Sequence, residues 1–491
     1  MKQIDVAVVG AGFGGLCAAI RLRQSGVDSL VILERSTEVG GTWRDNIYPG
    51  CACDVPSHMY SFSFEPNTRW TRPYPQQPEI QDYILRVTDT YALRPLIRFN
   101  SDVQAMRWLT DAQCWEIELQ GQAPLRARHV VLATGPLNKP AIPDIPGVDR
   151  FAGESFHSSH WRYDIDLKGK RIAVVGTGAS AIQFVPEIAP DAAHVDVFQR
   201  TPAWVLPRWD QPYGAVRRWA YRFVPGLQRL SRWRVYWFNE WIGMGFMGSA
   251  RMQAMLRRLS GHHLRSQVAD PALCEALTPD FNPGCKRLLI SNTWFPTLQR
   301  PNVSLVTQAV GSIAPNGVVG ADGTLYPCDV IVWGTGFKAT EFVAPMKIHG
   351  EPPKGAGAAA LVPELGAWWR SNPAATRLGI TVAGFPNLFM LVGPNTGLGH
   401  NSIVFMIECQ VDYIVRALKG LRSRGQTVLR LRPDVQRDDY VLMQQKMKGT
   451  VWSSGCKSWY QNADGHIDTL WPGYTWEYWL KTRRFQVGDY L

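Results

Sequence analysis

The chain has 491 residues, 45% hydrophobic and 19% charged, a composition that excludes a disordered protein and a length that calls for two or three domains. Its formal net charge of +11 admits nucleic acid, a lipid surface or an anionic small molecule as partner. The nine cysteines include one close pair, Cys51 and Cys53, whose C-x-C spacing fits neither a dithiol redox site nor a paired zinc site. They read as reduced thiols of a cytoplasmic protein; no metal site is expected, no apolar run reaches transmembrane length, and a strand starting at Ile4 leaves no room for a leader.

Residues 4–9 form an apolar run, predicted as a strand, that enters Gly10-Ala11-Gly12-Phe13-Gly14-Gly15. A helix follows to about Gln24, and residues 29–33 are a second strand ending on Glu34. Glycine at positions 10, 12 and 15 serves a tight turn, close backbone approach to a pyrophosphate, and helix–strand packing. Backbone N–H groups at the helix start then meet the negative charge. A glycine pattern alone is a weak signal; its context of strand, helix, strand and terminal acid carries the inference. The Glu34 carboxylate accepts from both hydroxyls of an unphosphorylated adenosine ribose.

The proline-rich stretch 140–147 reads as a linker. The same pattern then recurs: an apolar strand at 171–175, the turn Gly176-Thr177-Gly178-Ala179-Ser180-Ala181, a helix, and a strand at 195–198. This second strand is followed by Gln199, Arg200 and Thr201, with no acid. A guanidinium and a hydroxyl bind a 2′-phosphate that a carboxylate would repel, so the second site prefers NADPH and leaves the first for FAD. Two such openings imply an α/β protein with two Rossmann-like dinucleotide-binding domains.

Residues 202–282 lack this punctuation and read as a mostly helical insertion. Here Arg217, Arg218, Arg222, Arg229, Arg232, Arg234, Arg251, Arg257 and Arg258 face only Asp210 and Glu240, among Trp204, Trp209, Trp219, Trp233, Trp237 and Trp241. The expectation is a helical layer with solvated arginines and inward tryptophans; weak contact with a membrane surface is the alternative, and nucleic acid is not expected. Further on, Lys286-Arg287 by itself reads as a basic pair on a loop, and Asp54 before Val55-Pro56-Ser57 also suits a helix N-cap.

Between the two turns, Phe151, Gly153, His157 and Trp161 spell F-x-G-x-x-x-H-x-x-x-W. This resembles the fingerprint of the Baeyer–Villiger monooxygenases, with Arg162 standing where that family usually has Pro or Asp. Gly40-Gly41-Thr42-Trp43, Tyr48-Pro49-Gly50 and Asp54 match a second motif of the family in full. The resemblance continues through Ala133-Thr134-Gly135, Gly284-Cys285-Lys286-Arg287, Gly334-Thr335-Gly336-Phe337, Gly393-Pro394-Asn395-Thr396 and Ser458-Trp459-Tyr460. The related N- and S-oxidising flavin monooxygenases carry Phe or Tyr at the position of Trp161, so that residue argues for the first family while Arg162 leaves room for the second. A reductase passing electrons to a disulfide would need a C-x-x-C dithiol, which the chain lacks.

The resemblance implies one polypeptide using FAD, NADPH and O₂, with oxygen carried as a peroxide on the flavin and inserted beside the carbonyl of a small-molecule ketone to give an ester or lactone. It implies a split FAD domain (1–144 and 384–491) around an NADPH domain (145–201 and 285–383), itself interrupted by the insertion (202–284). Arg287 is the implied catalytic cation, oriented by Asp54, and Lys286 joins Arg200 and Thr201 at the 2′-phosphate. Cofactor contacts are also implied for Gly41, Thr42, Trp43, Asp54, Tyr60, Val103, Gly135, Gly176, Gly178, Ser180 and Ala181. Trp459 is implied to close over the nicotinamide coenzyme, and His157 to act as a hinge.

Overall fold

The computed structural model describes residues 3–351, 364–456, 458–462 and 465–491. The apolar strand Gln3–Val9 pairs in parallel with Leu30–Leu33 on one side and Gln122–Leu132 on the other. Strands buried on both faces must be apolar throughout, and Leu30–Leu33 is buried at all four positions. The eight-stranded sheet runs in the order Lys347–His349, Val103–Leu109, Cys114–Leu119, Gln122–Leu132, Gln3–Val9, Leu30–Leu33, Ile97–Arg98, with Leu388–Met390 also paired on Gln122–Leu132. The helix Phe13–Gln24 packs on this sheet and on the long C-terminal helix Ile403–Ser423, so both ends of the chain build one unit.

A second, five-stranded sheet is parallel throughout, in the order Val303–Val306, His194–Phe198, Arg171–Val175, Val330–Trp333, Glu154–His157. The α/β architecture with two doubly wound units is thus the expected one. The return to the first sheet comes earlier than residue 384, because Lys347–His349 already pairs with Val103–Leu109. A three-residue strand carries too little periodicity to be read in advance.

The insertion consists of Ala215–Phe223, Leu227–Phe246, Ala250–Gln267 and Pro271–Ala276, closed at its base by the parallel pair Val205–Leu206 and Leu289–Ile290. Its tryptophans correct the expectation of inward packing. Trp204 is buried, but Trp209, Trp219, Trp233, Trp237 and Trp241 are between 45% and 60% exposed. The inner face of Leu227–Phe246 has no room for Trp233, Trp237 and Trp241, since it is occupied by buried Gln228, Asn239 and Glu240 and by two close-approach glycines. A Cβ on Gly243 would lie 2.7 Å from the His400 ring, and one on Gly245 would lie 2.9 Å from Met252. Arg232 breaks the pattern in the opposite sense: it turns inward and donates to the carbonyls of His58 and Ser61 at 2.9 and 2.8 Å.

The expectation of wholly reduced cysteines also fails. Cys285 and Cys456, separated by 171 residues, form a disulfide. It ties the loop bearing Lys286 and Arg287 to the C-terminal segment that leads to Trp459, a pairing that spacing cannot reveal. Among the described residues no helix is long and apolar enough to cross a membrane.

Candidate active site

The two glycine turns have the same backbone. Gly10 and Gly176 sit at φ +103° and +104°, and their N–H groups donate to Leu33 and Phe198, the ends of the neighbouring strands, at 2.8 and 3.1 Å. A Cβ at either position would lie 2.6 Å from a carbonyl oxygen, of Ala133 or of Gly334, so only glycine fits. The helices that follow, Phe13–Gln24 and Ala181–Ile188, have no acid in their first turns, which leaves their N-terminal N–H groups free for an anion.

At the first turn Glu34 is buried. One carboxylate oxygen accepts from the N–H of Ala11 at 2.8 Å, and the other from the N–H of Ser36 at 3.0 Å and from Arg44 at 2.9 Å. These bonds fix the acid beside the turn with lone pairs left for ribose hydroxyls. Gly41 approaches Gly12 so closely that a Cβ on it would lie 3.3 Å from the Gly12 Cα, and Thr42–Asp45 begins a short helix there. Trp43 donates from Nε1 to the Tyr60 hydroxyl at 3.0 Å, which locks both rings against this pocket.

At the second turn the charge is reversed. Arg200 and Lys286 line the same cleft, and neither has a carboxylate within ion-pair distance among the described residues. Burial pushes the Lys286 ammonium below its ordinary value, and the Arg200 guanidinium pushes it further in the same direction. Two cations brought together at a cost, beside Thr201, make a site whose chemistry calls for an anion such as a phosphate.

Both turns open into one cleft of about 1110 Å³, above the usual range for a single small-molecule pocket of ~300–1,000 Å³. It is lined by Gly10, Gly12, Glu34, Gly41, Thr42, Trp43, Asp54, Tyr60, Val103 and Gly135 from the first half, and by Gly176, Gly178, Ser180, Arg200, Thr201, Lys286, Arg287 and Trp459 from the rest. Gly15 and Ala181, the third positions of the two turns, lie behind this lining. A Cβ on Gly15 would fall 1.8 Å from the Gly10 carbonyl oxygen, so this glycine packs helix against turn. Ala181 is fully buried and its Cβ sits beside Gly334.

Asp54 and Arg287 meet at the junction of the halves. Arg287 donates from Nε and Nη2 to the two Asp54 oxygens, both at 2.7 Å, so the aspartate serves the guanidinium rather than capping a helix. The side chains stay 33% and 23% exposed, enough for the guanidinium to face the cleft. Asp54 drives the Arg287 pKa up against the opposing effect of burial. Burial alone would raise Asp54; the Arg287 charge and its hydrogen bonds together outweigh it and hold the carboxyl below its ordinary value. Arg287 also borders a second, mostly apolar cavity of about 670 Å³ between the insertion and the C-terminal part, walled by Leu230, Trp233, Trp237, Phe246 and His400.

Several contributors have contacts that the sequence does not reveal, although Tyr48, Gly50 and Tyr460 fall within the matched motifs. Gln183, on the second turn's helix, bonds the Tyr48 hydroxyl and both the N–H and the carbonyl of Ala52, fastening the Asp54 loop to the other half. Gly50 permits that approach, since a Cβ there would lie 2.8 Å from the Gln183 carbonyl. Tyr460 is buried beside Arg287 and its ring lies tilted against Trp459 with centroids 4.4 Å apart. Glu240 accepts from Asn401 at 2.6 Å and from Thr475, anchoring the insertion to the C-terminal part beside His400.

Of the fingerprint residues, His157 is buried, bonds Ser159 and lines neither cavity, and Trp161 packs edge-on against Phe156. Burial pushes the His157 imidazole down to about 4, so it is neutral at neutral pH. Arg162 is a surface residue paired with Asp164; the departure from the usual motif does not reach the site.

Two adjoining nucleotide-type sites in one cleft define an oxidoreductase of the two-dinucleotide class, and the model for the family described as pyridine nucleotide-disulphide oxidoreductase matches residues 7–228. Over its full length the chain is 44% identical to a Baeyer–Villiger monooxygenase of Streptomyces coelicolor, of which it covers 92%, and 42% identical to one of Pseudomonas aeruginosa, of which it covers 91%. Among solved structures it is similar to an oxidized steroid monooxygenase bound to NADP (30% identity, TM-score 0.85, 98% of this chain and 97% of that one). It is also similar to the closed form of cyclohexanone monooxygenase (25% identity, TM-score 0.85, the same coverage). The chain belongs to the Baeyer–Villiger monooxygenase family.

Proposed function

We propose that this enzyme holds FAD at the Gly10 turn and NADPH at the Gly176 turn, and that it converts apolar ketones with O₂ into esters or lactones beside Arg287. The FAD unit would comprise residues 1–144 and the C-terminal part, and the NADPH unit residues 145–201 and the stretch from 285 to the strand Val330–Trp333. A cytoplasmic location accords with the supply of NADPH. The buried acid at the first strand end fits a ribose without phosphate, and the unpaired Arg200 and Lys286 fit a 2′-phosphate.

Bound FAD and NADPH supply hydride transfer and oxygen activation. The protein supplies position and charge. Arg287 stays protonated at any working pH, so it stabilises negative charge developing on the reacting oxygens without surrendering a proton to them. Asp54 holds the guanidinium plane by two bonds, so little reorganisation is needed when that charge appears. Gln183 and Tyr48 keep the Asp54 loop docked, and Trp459 and Tyr460 cover the coenzyme side of the cleft. The apolar cavity behind Arg287 receives the ketone.

The bidentate Arg287–Asp54 pair, on the wall shared by both cavities, is the observation that carries this reading. Purified protein supplied with NADPH, air and a panel of cyclic, linear and aryl ketones should form products heavier by one oxygen with ester spectra. If thioethers become sulfoxides while every ketone is returned unchanged, the heteroatom-oxidising alternative replaces it.

A further inference from the structure

The insertion presents a face that the fold does not explain. Along Leu227–Phe246, Leu230, Trp233, Trp237, Trp241 and Met244 recur at three- and four-residue intervals and so share one side of the helix, and all are exposed. Arg234 lies in the same stripe and is exposed with them. On the neighbouring helix Ala215–Phe223, Val216 is 81%, Trp219 59% and Phe223 57% exposed, beside exposed Arg218 and Arg222. A soluble surface rarely carries so many adjoining large rings without a partner.

The charge of this face selects the partner. From Ala215 to Gln267 the chain holds ten arginines, of which Arg232 turns inward toward Glu408, and a single acid, Glu240, which is buried among Asn401, Thr475 and His400. Nothing on the surface of that stretch neutralises the guanidinium groups. A second copy docked face to face would set arginine against arginine. An anionic lipid surface answers both features, since rings enter the headgroup region while arginines stay at its charged level. Arg222 lies with its guanidinium 5.2 Å from the Phe223 ring centroid, so ring and charge share this face.

We propose that the exposed aromatic and basic face of the insertion docks this enzyme on an anionic membrane surface. Leu230, Trp233 and Trp237 belong at once to that face and to the wall of the cavity that ends at Arg287. Docking therefore brings the cavity wall against lipid, and suits ketones that partition into a bilayer.

Sedimentation of the full-length holoenzyme with vesicles tests this without any product being read, so its outcome is independent of the ketone assignment. The enzyme should pellet with vesicles containing phosphatidylglycerol, not with pure phosphatidylcholine, and salt should release it. Arg218→Ala/Arg222→Ala should weaken binding about thirtyfold, and Trp219→Ser/Phe223→Ser/Trp241→Ser should weaken it at every salt concentration. None of these residues borders either cavity, so both variants should keep native turnover of a water-soluble ketone, which shows that they fold. Equal binding to both vesicle types, no binding to either, or native binding by both variants overturns the proposal. So does a lipid-free dimer that the tryptophan substitutions dissociate.

Discussion

The two glycine turns share their backbone and differ in what surrounds them. Each has its first glycine at φ near +103°, under a carbonyl at the end of a third strand that would lie 2.6 Å from any Cβ. The third position differs: Gly15 in one and Ala181 in the other. The ends of their second strands differ more, with buried, triply bonded Glu34 in one and exposed, unpaired Arg200 in the other. On the proposed reading one backbone device serves two nucleotides, because the shared part would meet a pyrophosphate and the differing part a ribose, bare or phosphorylated. Duplicated geometry with divergent charge is what would let a single cleft seat the two cofactors in the proposed order.

Exchanging the third residues should produce the largest contrast. Gly15→Ala places a methyl 1.8 Å from the Gly10 oxygen and should cost about 3 kcal/mol, with flavin lost on gel filtration. Ala181→Gly, the reverse change in the other half, should cost only about 1 kcal/mol, read as a small drop in Tm with flavin retained. Equal tolerance in both halves would mean that the first helix is not packed on its turn as described.

The strand ends come next. Arg200→Ala should lower kcat/KM for NADPH by roughly ten- to a hundredfold and leave NADH use nearly unchanged, as a charge-assisted phosphate bond requires. A parallel loss with both coenzymes would assign Arg200 some other role. Smallest is Glu34→Gln, which keeps one acceptor and removes the charge. FAD affinity should fall about tenfold in equilibrium dialysis while NADPH KM is untouched.

These contrasts were legible in advance because they depend on local order: a strand, a turn, a helix and the residue ending the next strand. The Asp54–Arg287 pair was legible only through motif resemblance, because 233 residues separate its partners. What stayed hidden depended on packing between distant segments. Gln183 bridges to Ala52, Cys285 bonds Cys456, and Tyr460 lies against Arg287, none with a periodicity to betray it. The insertion's tryptophans were misread for a related reason. An aromatic stripe at helical spacing tells which residues share a face, while the glycines and buried Glu240 on the opposite side decide which face turns inward.

The central claim is that nucleotide binding and oxygen insertion rest on different residues, with Arg287 serving the second. Rapid-mixing measurement of Arg287→Ala, paired with product analysis, tests it most directly. The groups proposed to bind the coenzyme, Gly176, Gly178, Arg200 and Lys286, remain in this variant. Anaerobic bleaching of the flavin by NADPH should therefore survive, while ester formation falls by at least ~10²–10³ and hydrogen peroxide is released instead. Ester formation at near-native rate in Arg287→Ala would contradict the account and place the catalytic cation elsewhere.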